Sequence, residues 1–348
     1  MDSIVLKKDI RKASVEDLKV FLESINEKPF RAKQIHEWIW EKSALSFEDM
    51  TNISIKTREE LNEKFVFNAL SLHKKQISND GTIKSAFKLY DGNIIESVLI
   101  PADDRMTVCV SSQVGCSLTC KFCATGYMDR VRNLDPAEIY DQVVDVRKQA
   151  FENYGKPLTN IVFMGMGEPL LNYGNVMKAI DKITSPEGLN MSRHRITVST
   201  AGVAKMIVKL ADDGFNCKLA LSLHAANDTK RNQIMPINET NTLDALAEAL
   251  KYFYAKNGNR LTYEYIVFKD FNDTLQDAEE LLKFSKHVPC KINIIEYNPI
   301  SEAIYKNADD EKLGKFKNYL ENRGANVTIR RSRGKDIDAA CGQLAGKN

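Results

Sequence analysis

Residues 107–138 read TVCVSSQVGCSLTCKFCATGYMDRVRNLDPAE, and this short stretch passes through three kinds of local structure. Residues 107–111 are rich in β-branched side chains and read as a strand. A loop follows, with cysteines at 116, 120 and 123. Asp135-Pro136-Ala137-Glu138 then opens a helix. Asp135 caps it, Pro136 suits the first turn because its missing N–H would find no partner there, and Glu138 completes a capping box. The same alternation recurs downstream, with strand-like runs at 160–164, 196–200, 218–223, 262–268, 291–296 and 327–330 separated by helical stretches. An α/β chain of this kind builds a parallel sheet with right-handed crossovers, open or closed into a barrel. Reactive groups in such folds gather at the carboxyl ends of strands.

Upstream, the period differs. Ser14-Val15-Glu16-Asp17 has the form of a capping box, with Leu18, Phe21 and Ile25 following at helical spacing. A second helix is expected to carry Ile35, Trp38 and Ile39. A third is expected to start near Thr57, with Leu61 and Phe65 facing inward. Segments near 70–77, 84–90 and 94–100 read as strands, joined by Asn79-Asp80-Gly81 and Asp91-Gly92-Asn93, which tolerate positive φ. The expected organisation is a helical accessory domain over residues 1–67, a β-meander linker over 68–104, and an α/β core over 105–348 with a C-terminal extension.

The chain has 348 residues, 43% hydrophobic and 28% charged, which suits a globular protein with a substantial core. No apolar run approaches the roughly 18 to 20 residues of a membrane span, so no membrane partner is expected. The N-terminus is too charged for a secretory signal, and cytoplasm is the expected compartment. Net charge is +2, from 49 basic and 47 acidic residues, so the whole-chain field does not select a polyanion. Local basic patches are Arg193-His194-Arg195, Arg130 with Arg132, and the run from Arg330 to Lys335.

Three of the seven cysteines crowd into Cys116-Ser-Leu-Thr-Cys120-Lys-Phe-Cys123, while Cys109, Cys217, Cys290 and Cys341 stand apart. In a reducing compartment such crowding points to metal or redox chemistry. A structural zinc ion would need a fourth ligand, from Cys109 or a histidine. A four-iron cluster held by three thiolates keeps one iron open for a ligand. Further along, Phe163-Met164-Gly165-Met166-Gly167-Glu168-Pro169 follows a strand. Its glycines let backbone approach a ligand, and its glutamate can accept an ammonium.

The cysteine spacing, with Phe122 before the last cysteine, resembles the radical S-adenosylmethionine superfamily. A closer resemblance is carried by Cys109-Val-Ser-Ser-Gln-Val-Gly-Cys116, Cys123-Ala-Thr-Gly126, Arg132-Asn133-Leu134, Met164-Gly-Met-Gly-Glu-Pro-Leu-Leu-Asn172, Ser222-Leu-His224 and Asp336-Ile-Asp-Ala-Ala-Cys341-Gly-Gln. These are similar to the RlmN family of dual-specificity ribosomal and transfer RNA adenine carbon-2 methyltransferases, over about residues 5 to 346. The resemblance implies a partial (β/α)6 radical-SAM barrel, with Cys116, Cys120 and Cys123 holding a [4Fe-4S] cluster. It implies that Gly167, Glu168, Ser199, Ser222, Leu223, His224 and Asn298 bind S-adenosyl-L-methionine, two molecules of it per turnover. It further implies 23S rRNA and tRNA as substrates and a reductant such as flavodoxin or ferredoxin; a monomer is expected.

The chemistry implied by that resemblance fits the target atom. Carbon 2 of adenine is electrophilic, so simple displacement at a sulfonium methyl cannot deliver a methyl group to it. In the family a thiolate corresponding to Cys341 is methylated first. A radical then forms on that methyl group and adds to the base, tethering RNA to the protein. Cys109 closes a disulfide with Cys341 to release product, and Glu96 matches a position described as a proton acceptor. The basic run from Arg330 is expected to guide RNA to the barrel mouth, and the nearly neutral N-terminal domain to recognise RNA shape. Three alternatives remain: the sister family Cfr, which methylates carbon 8 of the same ribosomal adenine, a zinc-stabilised RNA-binding module, and another radical enzyme that modifies a small metabolite, which would leave Cys341 without purpose. Val114 and the Pro169-Leu-Leu-Asn172 tail resemble the carbon-2 family.

Overall fold

The computed structural model describes residues 7–259 and 261–346, so the ends of the expected 1–67 and 105–348 segments (1–6 and 347–348) lie outside the described residues. The chain opens with β1 (Lys8–Asp9), then α1 (Val15–Ser24), α2 (Arg31–Trp40) and α3 (Ile55–Lys64), and β2 (Phe65–Val66) returns to pair in parallel with β1. The Ser14 capping box forms as expected, its hydroxyl accepting from Asp17 N while the Asp17 carboxylate accepts from Ser14 N. The third helix starts earlier than its sequence suggests. Ser54 is the cap, accepting from Thr57 N at 3.1 Å, and Thr57 sits inside the first turn.

The meander comprises β3 (Ser71–Ile77), β4 (Ile83–Lys88) and β5 (Ile94–Ala102), with turns at Gly81 and Gly92, both at positive φ. It is not a free linker: β5 pairs antiparallel with β6 (Arg105–Cys109), and the meander continues the main sheet. The reason is visible in burial. β4 is buried along nearly its whole length, so it needs neighbours on both edges as well as a covered face.

After β6, β7 (Gln113–Val114) and β8 (Arg132–Asn133) pair across the cysteine loop. The regular alternation then runs α4 (Pro136–Tyr154), β9 (Asn160–Phe163), α5 (Tyr173–Thr184), β10 (Ile196–Thr200), α6 (Ala204–Asp212) and β11 (Lys218–Ser222). It continues through α7 (Asp228–Ile234), α8 (Leu243–Asn257), β12 (Leu261–Ile266), α9 (Leu275–Ser285), β13 (Cys290–Ile295), α10 (Asp310–Glu321) and β14 (Val327–Arg330). Strands β6, β9, β10, β11, β12, β13 and β14 lie side by side in chain order, all parallel. Every crossover therefore steps the same way, which is the construction of a barrel; β3 to β5 extend the sheet beyond β6.

The helical N-terminal region shares one apolar core with the barrel. Its junction is polar as well. Buried Arg11 donates to Asp9 and, at 2.5 Å, to Asp141 on α4, and Tyr140 OH donates to the Trp40 carbonyl. Burial opposes the Arg11 charge, but the two carboxylates outweigh it and hold its pKa above the usual range.

Candidate functional site

Strand β6 ends at Cys109, and the chain crosses the barrel mouth as the loop bearing Cys116, Cys120 and Cys123. Leu118 and Phe122 pack into a second apolar cluster with Ala225, Ile234, Met235, Ile266 and Phe268. Thr119 takes a left-handed φ of 51°, and Lys121 N donates to Ile234 O at 2.9 Å, which ties the loop to the end of α7. Gly126 is required by close approach: a Cβ there would lie 2.5 Å from the Cys120 carbonyl oxygen. All three cysteines line one cavity. Among the described residues no group of three metal-ligating side chains closes to single-ion geometry.

Burial pushes these thiols up, Cys116 to about 11, and at Cys116 and Cys120 neighbouring thiols add to the shift. Holding them as thiolates therefore requires positive charge at the site.

The opposite wall is built from strand ends. Gly167 has φ +90°, and a Cβ on it would lie 2.4 Å from Gln113 Cβ. Glu168 is buried; its Oε2 accepts from Ala201 N at 2.8 Å and its Oε1 from Leu170 N at 3.0 Å. Burial raises its pKa against those bonds, so its ionised form calls for a positive charge beside it. Ser199 and Ser222, at the ends of β10 and β11, place their hydroxyl oxygens 3.3 Å apart.

His224, two residues after Ser222, has φ 56°. Its Nδ1 accepts from Ile266 N at 3.1 Å, which places the ring proton on Nε2. Burial, with the nearby Arg231 charge, pulls its pKa down to about 3, so it is a neutral donor. Its ring stands edge-on to Phe122, with centroids 4.7 Å apart.

The C-terminal tail closes the cavity with Cys341, Gly342 and Leu344. It is hydrogen-bonded to the cysteine loop: Ala124 N donates to Gly342 O at 2.7 Å and Thr125 Oγ1 to Leu344 O at 2.6 Å. Asn298 Nδ2 donates to Cys341 O at 3.1 Å. Cys341 is accessible because it faces the open cavity, yet surrounding protein still pushes its thiol up to about 11. Cys109 is buried outside the cavity lining, and burial raises it to about 12, with the Cys341 charge as the next contribution. The two thiols are unbridged.

Residues 8–67 match the ribosomal RNA large subunit methyltransferase N-terminal domain, and residues 110–285 match the Radical SAM superfamily. A probable dual-specificity RNA methyltransferase RlmN from Cytophaga hutchinsonii is 62% identical over 98% of this chain and 93% of its own length. The RlmN relative from Bacillus subtilis is 43% identical over 96% of this chain and 92% of its own. The chain belongs to the RlmN family. A radical SAM methyltransferase from Sphaerobacter thermophilus superposes with a TM-score of 0.92 at 38% identity, covering 98% of this chain and 100% of that one. The family is one of radical S-adenosylmethionine enzymes, and its cofactors are a [4Fe-4S] cluster and S-adenosylmethionine.

The residues present fit both groups. Three raised thiols spread along one wall suit a cube that takes one thiolate at each of three separate irons. For the sulfonium ligand, Glu264 Oε2 and Asn298 Oδ1 are buried acceptors with no hydrogen-bond donor, where a ligand brings ammonium and hydroxyl donors. Gly167, Glu168, Ser199, Ser222 and His224 line the cavity as expected. Leu223 does not: its backbone N–H and C=O bond Glu264 O and Arg231 Nε. Asn298 reaches the site through Cys341, and Glu96 lies outside the lining.

Two functional residues escaped sequence reading. Glu264 looks like any polar residue in a strand, and only the β12 register turns it into the cavity. Arg231 is fully buried, donating to the carbonyls of Leu223, Ala201 and Ser222 and to Asn238 Oδ1, and so fixes the strand ends that form the cofactor wall. Several cations of the expected basic patches are ion-paired. Arg132 binds Glu138 and Asp91, Arg193 binds Asp181, Arg331 binds Asp310 and Lys335 binds Glu296. Arg330 turns inward, its Nη1 3.8 Å from Met164 Sδ, and its charge acts on Cys109, Cys341 and Glu264. Arg130, His194, Arg195, Arg331, Arg333 and Lys335 are exposed, as is Lys121.

Proposed function

We propose that this chain methylates carbon 2 of adenine in 23S rRNA and in tRNA, with Cys341 as the methyl carrier and Cys109 as the resolving thiol. The observation that carries the reading is the convergence of three loop thiols, the Gly167-Glu168 turn and Cys341 on one cavity. When bound, the cluster and S-adenosylmethionine supply the methyl group and the radical chemistry.

The chain's own residues do the rest. Cys116, Cys120 and Cys123 hold the cluster. Glu168 and Asn298 accept the ligand's ammonium and hydroxyl hydrogens, while Gly167 lines the cavity and its missing Cβ gives Gln113 room to pack against the turn. His224 donates from Nε2, and the apolar wall of Phe122, Met235 and Ile266 excludes water. Cys341 is held at the mouth, where an RNA base can reach it. Arg330, close to both thiols, favours their thiolate forms. A low-potential donor such as flavodoxin or ferredoxin supplies electrons, and the enzyme acts as a monomer in the cytoplasm. No helix among the described residues is long and apolar enough to cross a membrane.

Nucleoside analysis of RNA after turnover tests the product. 2-Methyladenosine is expected, and 8-methyladenosine as main product would refute the reading. The thiol roles are tested separately. Cys341→Ala is expected to give no RNA adduct, whereas Cys109→Ala accumulates RNA covalently attached through Cys341. Normal turnover by Cys109→Ala would refute its assignment.

A further inference from the structure

The tail that carries Cys341 crosses from the end of β14 to the cysteine loop with little regular structure of its own, so its position depends on side chains beneath it. At its near end, Asp336 accepts from Ser78 Oγ at 2.5 Å and from Asn79 N at 3.1 Å, and Asp80 Oδ2 accepts from Gly334 N at 2.9 Å. These bonds anchor the tail to the β3–β4 turn. At its far end a carboxylate adds to the bonds that the cysteine loop makes with Gly342 and Leu344. Glu96 Oε2 accepts from Ala345 N at 2.9 Å and from Gly346 N at 3.1 Å. Its Oε1 lies 3.5 Å from Lys84 Nζ, which also donates to Asp338 O at 3.3 Å.

Glu96 is 2% exposed and stands on β5, between Ala86 of β4 and the first residues after β6. There Ser111 Oγ donates to the Glu96 carbonyl at 2.6 Å. Two adjacent backbone N–H groups converging on one carboxylate oxygen form a charge-assisted pair, the stronger class of hydrogen bond. Gly346 has φ 57°, and a Cβ there would lie 2.9 Å from Ile94 O, so the tail's path over this carboxylate is closely determined.

We propose that Glu96, with Lys84, is a latch: a positioning residue that docks the C-terminal tail and so sets where Cys341 meets the cavity. This differs from the proton-acceptor role that the family resemblance implies for the position. With the tail docked, Oε2 is engaged by two amides and Glu96 does not face the cavity, so the tail must lift before that oxygen can take a proton. The consequence for catalysis rests on Cys341 being the methyl carrier; the docking itself does not.

Hydrogen exchange of the full-length, cluster-loaded enzyme under anaerobic conditions tests the latch, read on the peptide spanning residues 340–346. Glu96→Ala should speed exchange there by roughly tenfold or more, a loss of about 1.4 kcal/mol of protection. Protection in the core strand Ile196–Thr200 should stay as in the wild type. Glu96→Gln keeps an acceptor oxygen in place and should restore most of the tail's protection. Lys84→Met, which leaves the carboxylate but removes its partner, should loosen the same peptide and serves where Glu96→Ala fails to fold. Unchanged tail exchange in Glu96→Ala, or equal loosening in the Gln and Ala variants, would overturn the proposal. A Cys341→Ala enzyme that still methylated RNA would overturn the methyl-carrier reading and leave the exchange result intact.

Discussion

Acid sensitivity of the folded chain should trace in large part to His224. Its ring is buried and neutral, with a pKa pulled down to about 3 from 6.5 in the unfolded chain. A depressed folded-state pKa means the unfolded chain binds the extra proton. The associated stability is fully present above about pH 6.5 and is lost as pH falls toward about 3. Between pH 7 and pH 5 the linkage integral gives a loss of about 2 kcal/mol, since protonation of the unfolded state grows at about 1.4 kcal/mol per pH unit below its pKa.

His224→Asn isolates this contribution. Asparagine tolerates the left-handed backbone at this position, and its Oδ1 can take over the acceptor role that Nδ1 plays toward Ile266 N. Urea midpoints of cluster-free protein, wild type and variant, at the two pH values provide the assay. The variant is expected to lose about 2 kcal/mol less than wild type over that interval. Equal losses in the two proteins would refute the account of His224 as a buried neutral donor.

Other expectations follow from single contacts. Gly126→Ala forces a Cβ to within 2.5 Å of the Cys120 carbonyl, so the loop must shift; iron per chain after anaerobic reconstitution should fall clearly below wild type, and full iron loading would count against the geometry. Arg231→Met strands three carbonyls and Asn238, and should cost about 3 kcal/mol or more in urea unfolding; a loss below about 1 kcal/mol would show that water replaces the guanidinium. Ser54→Ala removes the cap of α3 and should cost about 1 kcal/mol, measured the same way, whereas Thr57→Ala would be the costlier change at this cap had Thr57 been the capping residue.

Much of the molecule is written locally. The Ser14 and Asp135 capping boxes, the turns at Gly81 and Gly92, and the strand–helix alternation depend on neighbours a few residues apart, and they stand where the residues place them. The cysteine loop and the Gly167-Glu168 turn are equally local, because a cluster-binding loop must bring its thiols within one short segment. Where boundaries shift they do so by a turn or less, as with Ser54 in place of Thr57 and the β12 strand ending at Ile266.

What the tertiary structure alone decided concerns contacts across long stretches of chain. Glu96 meets amides 249 and 250 residues away, a pairing that no period or spacing encodes. The meander joins the core sheet because its buried strands need neighbours on both edges. Glu264 enters the cavity through sheet register, and Arg231 is hidden under strand ends whose carbonyls become its partners only when those strands lie side by side. In the basic run after β14, the fold turns Arg330 inward and pairs Arg331 and Lys335 with carboxylates while leaving both, with Arg333, on the surface. Sequence lists which charges exist, but which of them neutralise one another depends on the distances that folding creates.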